Sequence, residues 1–246
     1  MTCRCAVDLH IHSCLSPCAD DDMTPNNIAG MAFVKSLDCI AVTDHNAAFN
    51  LPALEKTCRE MNVVLLPGIE VTSREEVHIL TYFPDVPTAV DFGRMVYGRL
   101  PPVKNRPDIF GGQILLDEED EPVGELDTLL IQATDLAIEQ IEALCTQAGG
   151  LCVAAHINRS SNSLLGNLGF LPPRPRFAAL EVYRGAPAPA VDTGAYKILY
   201  ASDAHRLGDI AEREFFLDLP ERSREGLFSY LRACKDRVKG RGLIEK

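Results

Sequence analysis

The sequence predicts an α/β fold, built as a TIM-like barrel of seven strands, from three observations. Short apolar runs alternate with stretches of helical spacing, which is typical of parallel α/β folds. Polar residues follow most of these runs, as in barrels whose functional face lies at the carboxyl ends of the strands. The chain has 246 residues, of which 46% are hydrophobic, enough for one core of this kind.

Seven apolar runs are predicted as buried strands because they are short and rich in β-branched residues. They cover Cys5–His10, Cys39–Asp44, Val63–Val71, Val77–Phe83, Leu151–His156, Ala179–Tyr183 and Lys197–Ser202.

Helices are predicted between several of these strands. Thr24 is placed as an N-cap before Pro25 at the first helical position. A second helix spans Leu51 to Met61, and a third follows a cap at Thr134 or Asp135. The last helix has one apolar face, formed by Leu227, Leu231, Cys234 and Val238.

A long segment, residues 84–133, separates the fourth strand from the fifth. Insertions of this length are usually functional or disordered, and this one is interpreted as a folded lid over the barrel mouth. Gln113–Leu116 and Glu121–Gly124 can form a hairpin inside it, and Lys104 and Arg106 could close over a substrate. A solvated acidic loop is the simpler alternative. Residues 1–246 are predicted to form one domain.

Charge and cysteine content restrict the partners and the compartment. The net charge of −11 argues against binding to duplex nucleic acid, which needs basic surface, but allows a small phosphorylated metabolite. No apolar stretch is long enough for a membrane span, and the N-terminus lacks a signal peptide. Nine unpatterned cysteines suggest reduced thiols and a cytoplasmic protein. The oligomeric state is left open.

All six histidines lie at or beside predicted strand ends, which favours a metal centre. His10 and His12 form an H-x-H pair whose alternation directs both imidazoles to one face of the strand. Imidazole and carboxylate together are ligands for Zn, Mn or Fe. A single buried histidine is often only a packed residue. Six histidines that all lie at or beside strand ends are not explained by packing alone. The other candidate ligands are His45, Glu70, His78, His156, Asp203 and His205.

The ordered motifs DLHIHS, VTDHN, PGIE, EEVHIL, AAHIN and SDAH resemble the polymerase-and-histidinol-phosphatase (PHP) family of metal-dependent phosphoesterases. The resemblance covers nearly the whole chain. It implies a distorted (β/α)7 barrel that holds two to three divalent ions at the carboxyl ends of the strands.

The resemblance also implies how the ligands divide among the ions. The first ion would take His10, His12, Glu70 and Asp203. The second would take Glu70, His78 and His156, with Glu70 bridging. The third would take His45, His205 and a residue of the loop after the first strand. Asp8 and Asp44 precede ligands and are expected to orient imidazoles instead of binding metal.

The loop after the first strand departs from the family pattern. Many relatives have S-D-G there, whereas this chain has Pro17 in that place. Cys18 falls where some relatives have histidine, so a thiolate that favours zinc is expected, with Asp20 as the second choice. The alternatives are a small buried hydrophobe for Cys18 and a solvated acidic turn for Asp20.

The predicted reaction is hydrolysis of a small phosphomonoester, a sugar, amino-alcohol or nucleotide phosphate, by metal-bound hydroxide. Arg159 and Arg184 follow strands and are expected to bind the phosphate, with Asn46 as a weaker candidate. Both arginines could equally be paired surface residues. The alternative activity is that of an exonuclease or oligoribonuclease on short oligonucleotides or nucleotide bisphosphates. A barrel retained only for binding is disfavoured by the complete ligand set.

Overall fold

A computed structural model describes residues 2–194 and 196–241, with side chains up to residue 238. The chain folds around an eight-stranded curled sheet, and a separate two-stranded hairpin lies beside it. The strands are β1 Cys3–Ile11, β2 Cys39–Val42, β3 Val64–Thr72, β4 His78–Tyr82, β5 Ile114–Leu116, β6 Pro122–Glu125, β7 Leu151–Ala154, β8 Ala179–Glu181, β9 Lys197–Leu199 and β10 Phe216–Leu219. Strand order in the large sheet is β10-β1-β2-β3-β4-β7-β8-β9, which confirms the predicted barrel-like α/β fold.

Among the residues that the structure describes, six α-helices flank these strands: α1 Pro25–Val34, α2 Leu51–Glu60, α3 Val86–Tyr97, α4 Pro107–Phe110, α5 Ile138–Gln147 and α6 Arg224–Arg241. The Thr24 hydroxyl accepts from the backbone N of Asn27, so the predicted cap of α1 is confirmed. The predicted cap of α5 is wrong. That helix begins after Ala137, and the Thr134 hydroxyl donates instead to the Thr72 carbonyl.

The expectation of seven parallel strands fails at β4. Parallel pairing joins β1 to β2, β2 to β3, β7 to β8 and β8 to β9, but β4 runs antiparallel to both β3 and β7. Only a short turn, residues 73–77, separates β3 from β4, and a turn that short requires an antiparallel hairpin. His78 is therefore the first residue of its strand and pairs with Thr72 at the end of β3. The reversal brings its imidazole to the functional rim.

The sheet nearly closes on itself at β1. The first half of β1 pairs with β10, an eighth strand that the sequence did not reveal, and this pairing is antiparallel. Beyond it, Ile11 forms a parallel bridge with Ala204, and the backbone N of His12 donates to the Ala204 carbonyl at 2.9 Å. The segment after β9 is thus fixed beside the carboxyl end of β1. This contact places Asp203 and His205 next to the H-x-H pair.

Two apolar layers lie on opposite sides of the sheet. One layer joins the sheet to helices α1, α2, α3 and α5, whereas the other lines the concave side and is covered by α6. Val7 and Leu9 belong to the concave layer, but Ile11 belongs to the helix layer, so the alternation of β1 is broken. The strand register shifts between Asp8 and Ile11. Such a bulge turns His10 toward the concave side. In a strand without the bulge, His10 would lie on the side opposite to Leu9.

Residues 84–133 pack beside the sheet and helix α2. Helix α3 packs on α2 and β3 as part of the helix layer, which the sequence reading missed because it assigned this stretch to the insertion. The predicted hairpin is present as β5 and β6, within one residue of its expected bounds. Asn50 Nδ2 donates to the Ile114 carbonyl at 3.0 Å, and the backbone N of Leu116 donates to Asn50 Oδ1 at 3.0 Å. These bonds fix the hairpin to the start of α2.

Candidate metal centre

Glu70 is the centre of the histidine cluster. It lies at the end of β3 with 1% of its surface exposed, and its carboxylate is within 3.4 Å of five imidazoles. Three contact Oε1 and two contact Oε2, over distances of 2.9–3.4 Å: His10, His78 and His156 on one side, His12 and His45 on the other. Burial raises the pKa of this carboxyl, but the neighbouring imidazoles of His78 and His10 hold it well below its usual range.

Asp203 joins the two histidines of the H-x-H pair. Its Oδ1 lies 3.2 Å from His10 Nε2 and 3.1 Å from His12 Nε2, and these two nitrogens are 3.1 Å apart. Together with Glu70 they form a buried group of four ligand atoms within 4.8 Å of one another. This is the set that the sequence resemblance implies for the first ion.

The Nδ1 atoms of three rings are held by neighbouring groups that are not candidate ligand atoms, so that Nε2 of each remains for a ligand role. His10 Nδ1 lies 3.0 Å from Glu181, His12 Nδ1 lies 3.0 Å from the Ser16 hydroxyl, and His205 Nδ1 lies 2.9 Å from the Asp203 carbonyl. Metal-binding histidines typically make such a contact, because it fixes tautomer and ring orientation. Sequence reasoning missed Glu181; its signal is one carboxylate inside the apolar run of β8.

Asp8 and Asp44 act through serines and backbone groups. Asp44 accepts from the hydroxyls of Ser13 and Ser16, and Ser16 in turn contacts His12. This carboxylate therefore orients the His12 imidazole indirectly, through Ser16. Asp8 accepts from the backbone N and hydroxyl of Ser202. These hydrogen bonds hold the loop that carries Asp203. Asp8 therefore helps to place Asp203, whereas the sequence predicted that it would orient an imidazole.

The backbone is strained at two of the cluster residues. His156 has φ of +24° and Asp203 has φ of +53°, a region that costs non-glycine residues free energy. Both follow the ends of short strands, where the chain turns away from the sheet. The turn at each residue points its side chain into the cluster, so the strain accompanies placement of the candidate ligands.

The structure separates the two candidates for the loop ligand. His12, His45 and His205 form a second group of converging nitrogens. Cys18 is exposed, and its thiol lies near His45 and His205. Partial desolvation raises the Cys18 pKa, but those two imidazoles outweigh it and lower the pKa to about 6. Asp20 instead points outward, with its carboxylate 3.5 Å from Arg206 Nε. Of the two candidates, Cys18 is the one that lies near the cluster histidines.

The donor set fits divalent metal ions. Glu70 Oε2 and His45 Nδ1 are both buried and lie 3.0 Å apart, yet neither makes a hydrogen bond within the described chain. A cluster of so many lone pairs without matching protons is unfavourable in a low-dielectric interior unless a cation is bound. A third converging group, His45, Glu70 and His78, shares Glu70 with the first. A bridging role for this carboxylate is thus geometrically available.

A cavity of about 180 Å³ opens onto this cluster. It is lined by His45, Glu70, His78, His156, Arg159, Ser161, Asn162, Asp203 and His205, all outside the 84–133 segment. Lys104 and Arg106 of that segment are not among the lining residues: Lys104 is exposed, and Arg106 pairs with Asp108 at 2.8 Å.

The two candidate phosphate arginines lie in different places. Arg159 enters the cavity, and its Nη2 lies 2.7 Å from Asp203 Oδ2. Arg184 pairs with Glu214 at 3.0 Å and lines a neighbouring cavity. Asn46 has a structural role, because its side-chain amide donates to the carbonyls of Leu130 and Gln132. Only Arg159 of these three is placed to contact a ligand above the metal cluster.

Comparison with known proteins assigns the family. The profile of the PHP domain matches residues 8–160, more than half of the chain. The chain belongs to the PHP domain family. PHP proteins are metal-dependent phosphoesterases, and the resemblance seen in the motifs is confirmed. No curated protein matches the sequence.

Solved structures share the fold at low sequence identity. Endonuclease Q from Pyrococcus furiosus, a lesion-specific endonuclease, is similar with a TM-score of 0.69 and 20% identity over 95% of this chain. The chain spans only 56% of that protein. A proposed metal-dependent phosphoesterase from Bifidobacterium adolescentis has a TM-score of 0.62 and 19% identity, covering 90% of this chain and 95% of its own. An amidohydrolase from Chromobacterium violaceum with bound sulfate has a TM-score of 0.53 and 18% identity, covering 93% and 96%.

One expectation about partners is wrong. The acidic net charge predicts no binding to duplex nucleic acid, but endonuclease Q, whose fold this chain shares, is solved with a 27-mer duplex that carries an abasic lesion. Net charge describes the whole surface, whereas a nucleic acid contacts one part of it. A nucleic-acid partner therefore stays open. Within the described residues, no helix is long and apolar enough to cross a bilayer.

Proposed function

We propose that this protein is a metal-dependent phosphatase that hydrolyses a small phosphomonoester at the histidine cluster. The observation that carries the proposal is the arrangement around Glu70, where five imidazoles converge on one buried carboxylate below an open cavity. The cavity has about 180 Å³, which suits one phosphoryl group and little more. Arg159 is the one arginine or lysine among its lining residues.

Three ligand sets are proposed for two to three ions of Zn, Mn or Fe. The first set is His10, His12, Glu70 and Asp203, the second Glu70, His78 and His156, and the third His45, His205 and Cys18. When bound, such ions act as Lewis acids on phosphoryl oxygens and lower the pKa of water, so that a nucleophile forms near neutral pH. A thiolate at Cys18 would favour zinc in the third set.

Arg159 is proposed to hold the phosphoryl group. A guanidinium presents paired N–H donors that match two phosphate oxygens. Asp203 Oδ2 at 2.7 Å and the ring of Tyr183, 4.2 Å from the guanidinium carbon, fix the side chain before a substrate arrives. Holding the group in place reduces the entropy that the reaction must overcome. Ser161 and Asn162 add neutral hydrogen-bonding groups at the cavity wall.

Cleavage of a phosphodiester in nucleic acid is the second candidate, in an oligonucleotide or a longer duplex. The observation that favours it is the fold shared with endonuclease Q, which acts on lesion-bearing DNA. The same metal chemistry serves both ester classes, so the cluster alone does not choose between them.

Phosphate release separates the candidates. The metal-loaded protein would be assayed with a panel of phosphomonoesters, short oligonucleotides and a duplex with an abasic site. Release of phosphate from one monoester class, lost on chelation and regained with Zn or Mn, is the expected result. Cleavage confined to the oligonucleotides or the duplex would contradict the phosphatase, and undiminished activity after chelation would contradict the metal mechanism.

A reducing compartment, such as the cytoplasm, is proposed for the protein. All nine cysteines are free thiols, and seven of them are buried. Free thiols persist where the redox poise keeps cysteines reduced.

A further inference from the structure

The side chain of Asn158 joins the loop after β7 to the loop after β8. Its Oδ1 accepts from the backbone N of Tyr183 at 2.8 Å, and its Nδ2 donates to the Tyr183 carbonyl at 2.9 Å. The same Nδ2 donates to the Pro187 carbonyl at 2.9 Å. An amide has one acceptor and two N–H donors, so these bonds satisfy the side chain and fix the Tyr183 backbone relative to the loop after β7.

Tyr183 extends this contact to Arg159. The guanidinium carbon of Arg159 lies 4.2 Å from the centre of the Tyr183 ring, and its Nη2 lies 2.7 Å from Asp203 Oδ2. The guanidinium thus has an aromatic ring against one face and a carboxylate at one edge. Asn158 and Arg159, which are neighbours in the chain, are therefore connected a second time through the side chain of Tyr183.

The Tyr183 ring has room in this position because residue 185 is glycine. A Cβ on Gly185 would lie 2.6 Å from Cε1 and 2.7 Å from Cζ of Tyr183. Carbon atoms that are not bonded pack at about 3.5–4.0 Å, so any larger residue would displace the ring. The φ angle of Gly185 lies outside the left-handed region, so space and not backbone conformation requires glycine here.

Arg159 also has a donor without a partner. Its Nε is buried and makes no hydrogen bond within the described residues, although the side chain lines the metal cavity. A buried N–H group without an acceptor is unfavourable. An oxygen of a phosphoryl group bound in the cavity can supply the missing acceptor.

We infer that Asn158 is a positioning residue for phosphate binding, which acts through Tyr183 to hold Arg159 in the orientation that a phosphoryl group meets. The inference rests on the proposed phosphatase function and adds to it a residue outside the candidate metal ligands. Asn158 is not among the residues that line the metal cavity. Its effect is to order the arginine before a ligand arrives, which reduces the entropy lost on binding.

A double-mutant cycle between Asn158 and Arg159 tests this. Asn158→Leu has similar size but loses the hydrogen bonds to Tyr183 and Pro187, so KM for the hydrolysed monoester should rise about fivefold, with kcat within about twofold. In an Arg159→Ala background the same substitution should change KM by less than about 1.5-fold, because no guanidinium is left to position. Equal rises of KM in both backgrounds would overturn the inference.

Two further substitutions reach the same ring without touching the amide. Gly185→Ala should raise KM about fivefold, because the new methyl group displaces the ring. Tyr183→Leu should do the same, whereas Tyr183→Phe keeps a π face and should stay within about twofold of the wild type. Asn26→Leu is the matched control, since it removes a side-chain amide that donates to the Glu118 carbonyl at 2.9 Å, and its KM should equal that of the wild type.

A KM for Tyr183→Phe as high as that for Tyr183→Leu would show that the ring does not hold the arginine, and it would overturn the inference. If Asn158→Leu does not fold by circular dichroism, Gly185→Ala and the two Tyr183 variants decide.

Calorimetric titration of inorganic phosphate into the metal-loaded protein separates this inference from the proposed function, because it needs no turnover. Phosphate affinity that falls about fivefold in Asn158→Leu, at unchanged metal content, supports the positioning role. The same fall without hydrolysis of any monoester would support that role and overturn the phosphatase. Hydrolysis with KM and phosphate affinity unchanged in Asn158→Leu would overturn the positioning role and leave the phosphatase standing. Wild-type protein that neither binds phosphate nor hydrolyses a monoester would overturn both.

Discussion

The concave side of the sheet has two halves with opposite composition, although the same strands form both. The half covered by α6 is apolar, as Val7 and Leu9 of β1 and Leu66 of β3 illustrate. The half at the rim holds six imidazoles and the carboxylates of Glu70 and Asp203. Within β1 the change from one half to the other occurs between Leu9 and His10.

This difference assigns stability to one half and chemistry to the other. Apolar burial stabilises the first half without any ligand, because it removes hydrocarbon surface from water. The rim buries charge and lone pairs, including Glu70 Oε2, which accepts no hydrogen bond within the described residues, and such groups are costly unless a cation compensates them. Substitutions at the rim should therefore change metal content and activity, whereas those in the apolar half should change the free energy of unfolding.

The largest effect is expected for Glu70→Gln. The amide keeps the shape but removes the charge shared by the two ligand groups that contain this residue. Loss of a Lewis-acid site costs several kcal/mol of transition-state stabilisation, so kcat/KM should fall about a thousandfold together with metal content. Elemental analysis and phosphate release on one sample measure both. Glu55→Gln, which affects a surface pair with Arg224, is the matched control and should behave as wild type. Full activity in Glu70→Gln contradicts the assigned centre.

Leu66→Ala tests the apolar half. Leu66 is fully buried against the concave layer, and a cavity there should lower the free energy of unfolding by about 3 kcal/mol. Urea denaturation measures this, while metal content should stay at the wild-type value. Val34→Ala is the control, because Val34 is 74% exposed and should change stability by less than about 0.5 kcal/mol. Loss of metal from a folded Leu66→Ala protein would show that the two halves are not separable.

Glu181→Gln is expected to have an intermediate effect at the rim. The carboxylate holds His10 Nδ1 at 3.0 Å, and loss of such a contact typically lowers metal affinity by about 10–100-fold. Competition against a chelator of known affinity measures the change. An affinity equal to that of the wild type would mean that Glu181 serves packing only.

Arg159→Lys should have the smallest of these effects. Lysine keeps the charge but loses the paired donors, so KM for the phosphate ester should rise about tenfold while the bound metal is retained. Arg94→Lys changes an exposed pair with Asp91 and should leave KM unchanged. An unaltered KM in Arg159→Lys would remove this residue from phosphate binding.

The sequence predicted the positions of the candidate ligands better than the paths of the strands. Ligand residues follow apolar runs in the chain, so His45, Glu70 and His156 could be placed at strand ends from local pattern alone. The reversal of β4 was missed because a buried strand is apolar in either direction. His78 still reached the rim, since a short hairpin returns the chain to the edge where β3 ends.

Contacts between distant segments could not be predicted from one sequence. Glu181 lies 171 positions from His10, and no local period indicates that they meet. The role of residues 84–133 depends on hydrogen bonds such as those between Asn50 and the β5–β6 hairpin, which have no sequence signature. Arg159 and Arg184 look alike in sequence, but only their tertiary partners, Asp203 and Glu214, assign them to different cavities.

Counting the metal ions in the intact protein tests the central claim most directly. Native mass spectrometry of the purified protein, reconstituted with zinc or manganese, should show two to three tightly bound ions in the wild type and fewer in Glu70→Gln. Folded wild-type protein that binds no ion at micromolar metal, or the same number of ions in both proteins, would contradict a metal centre organised around Glu70.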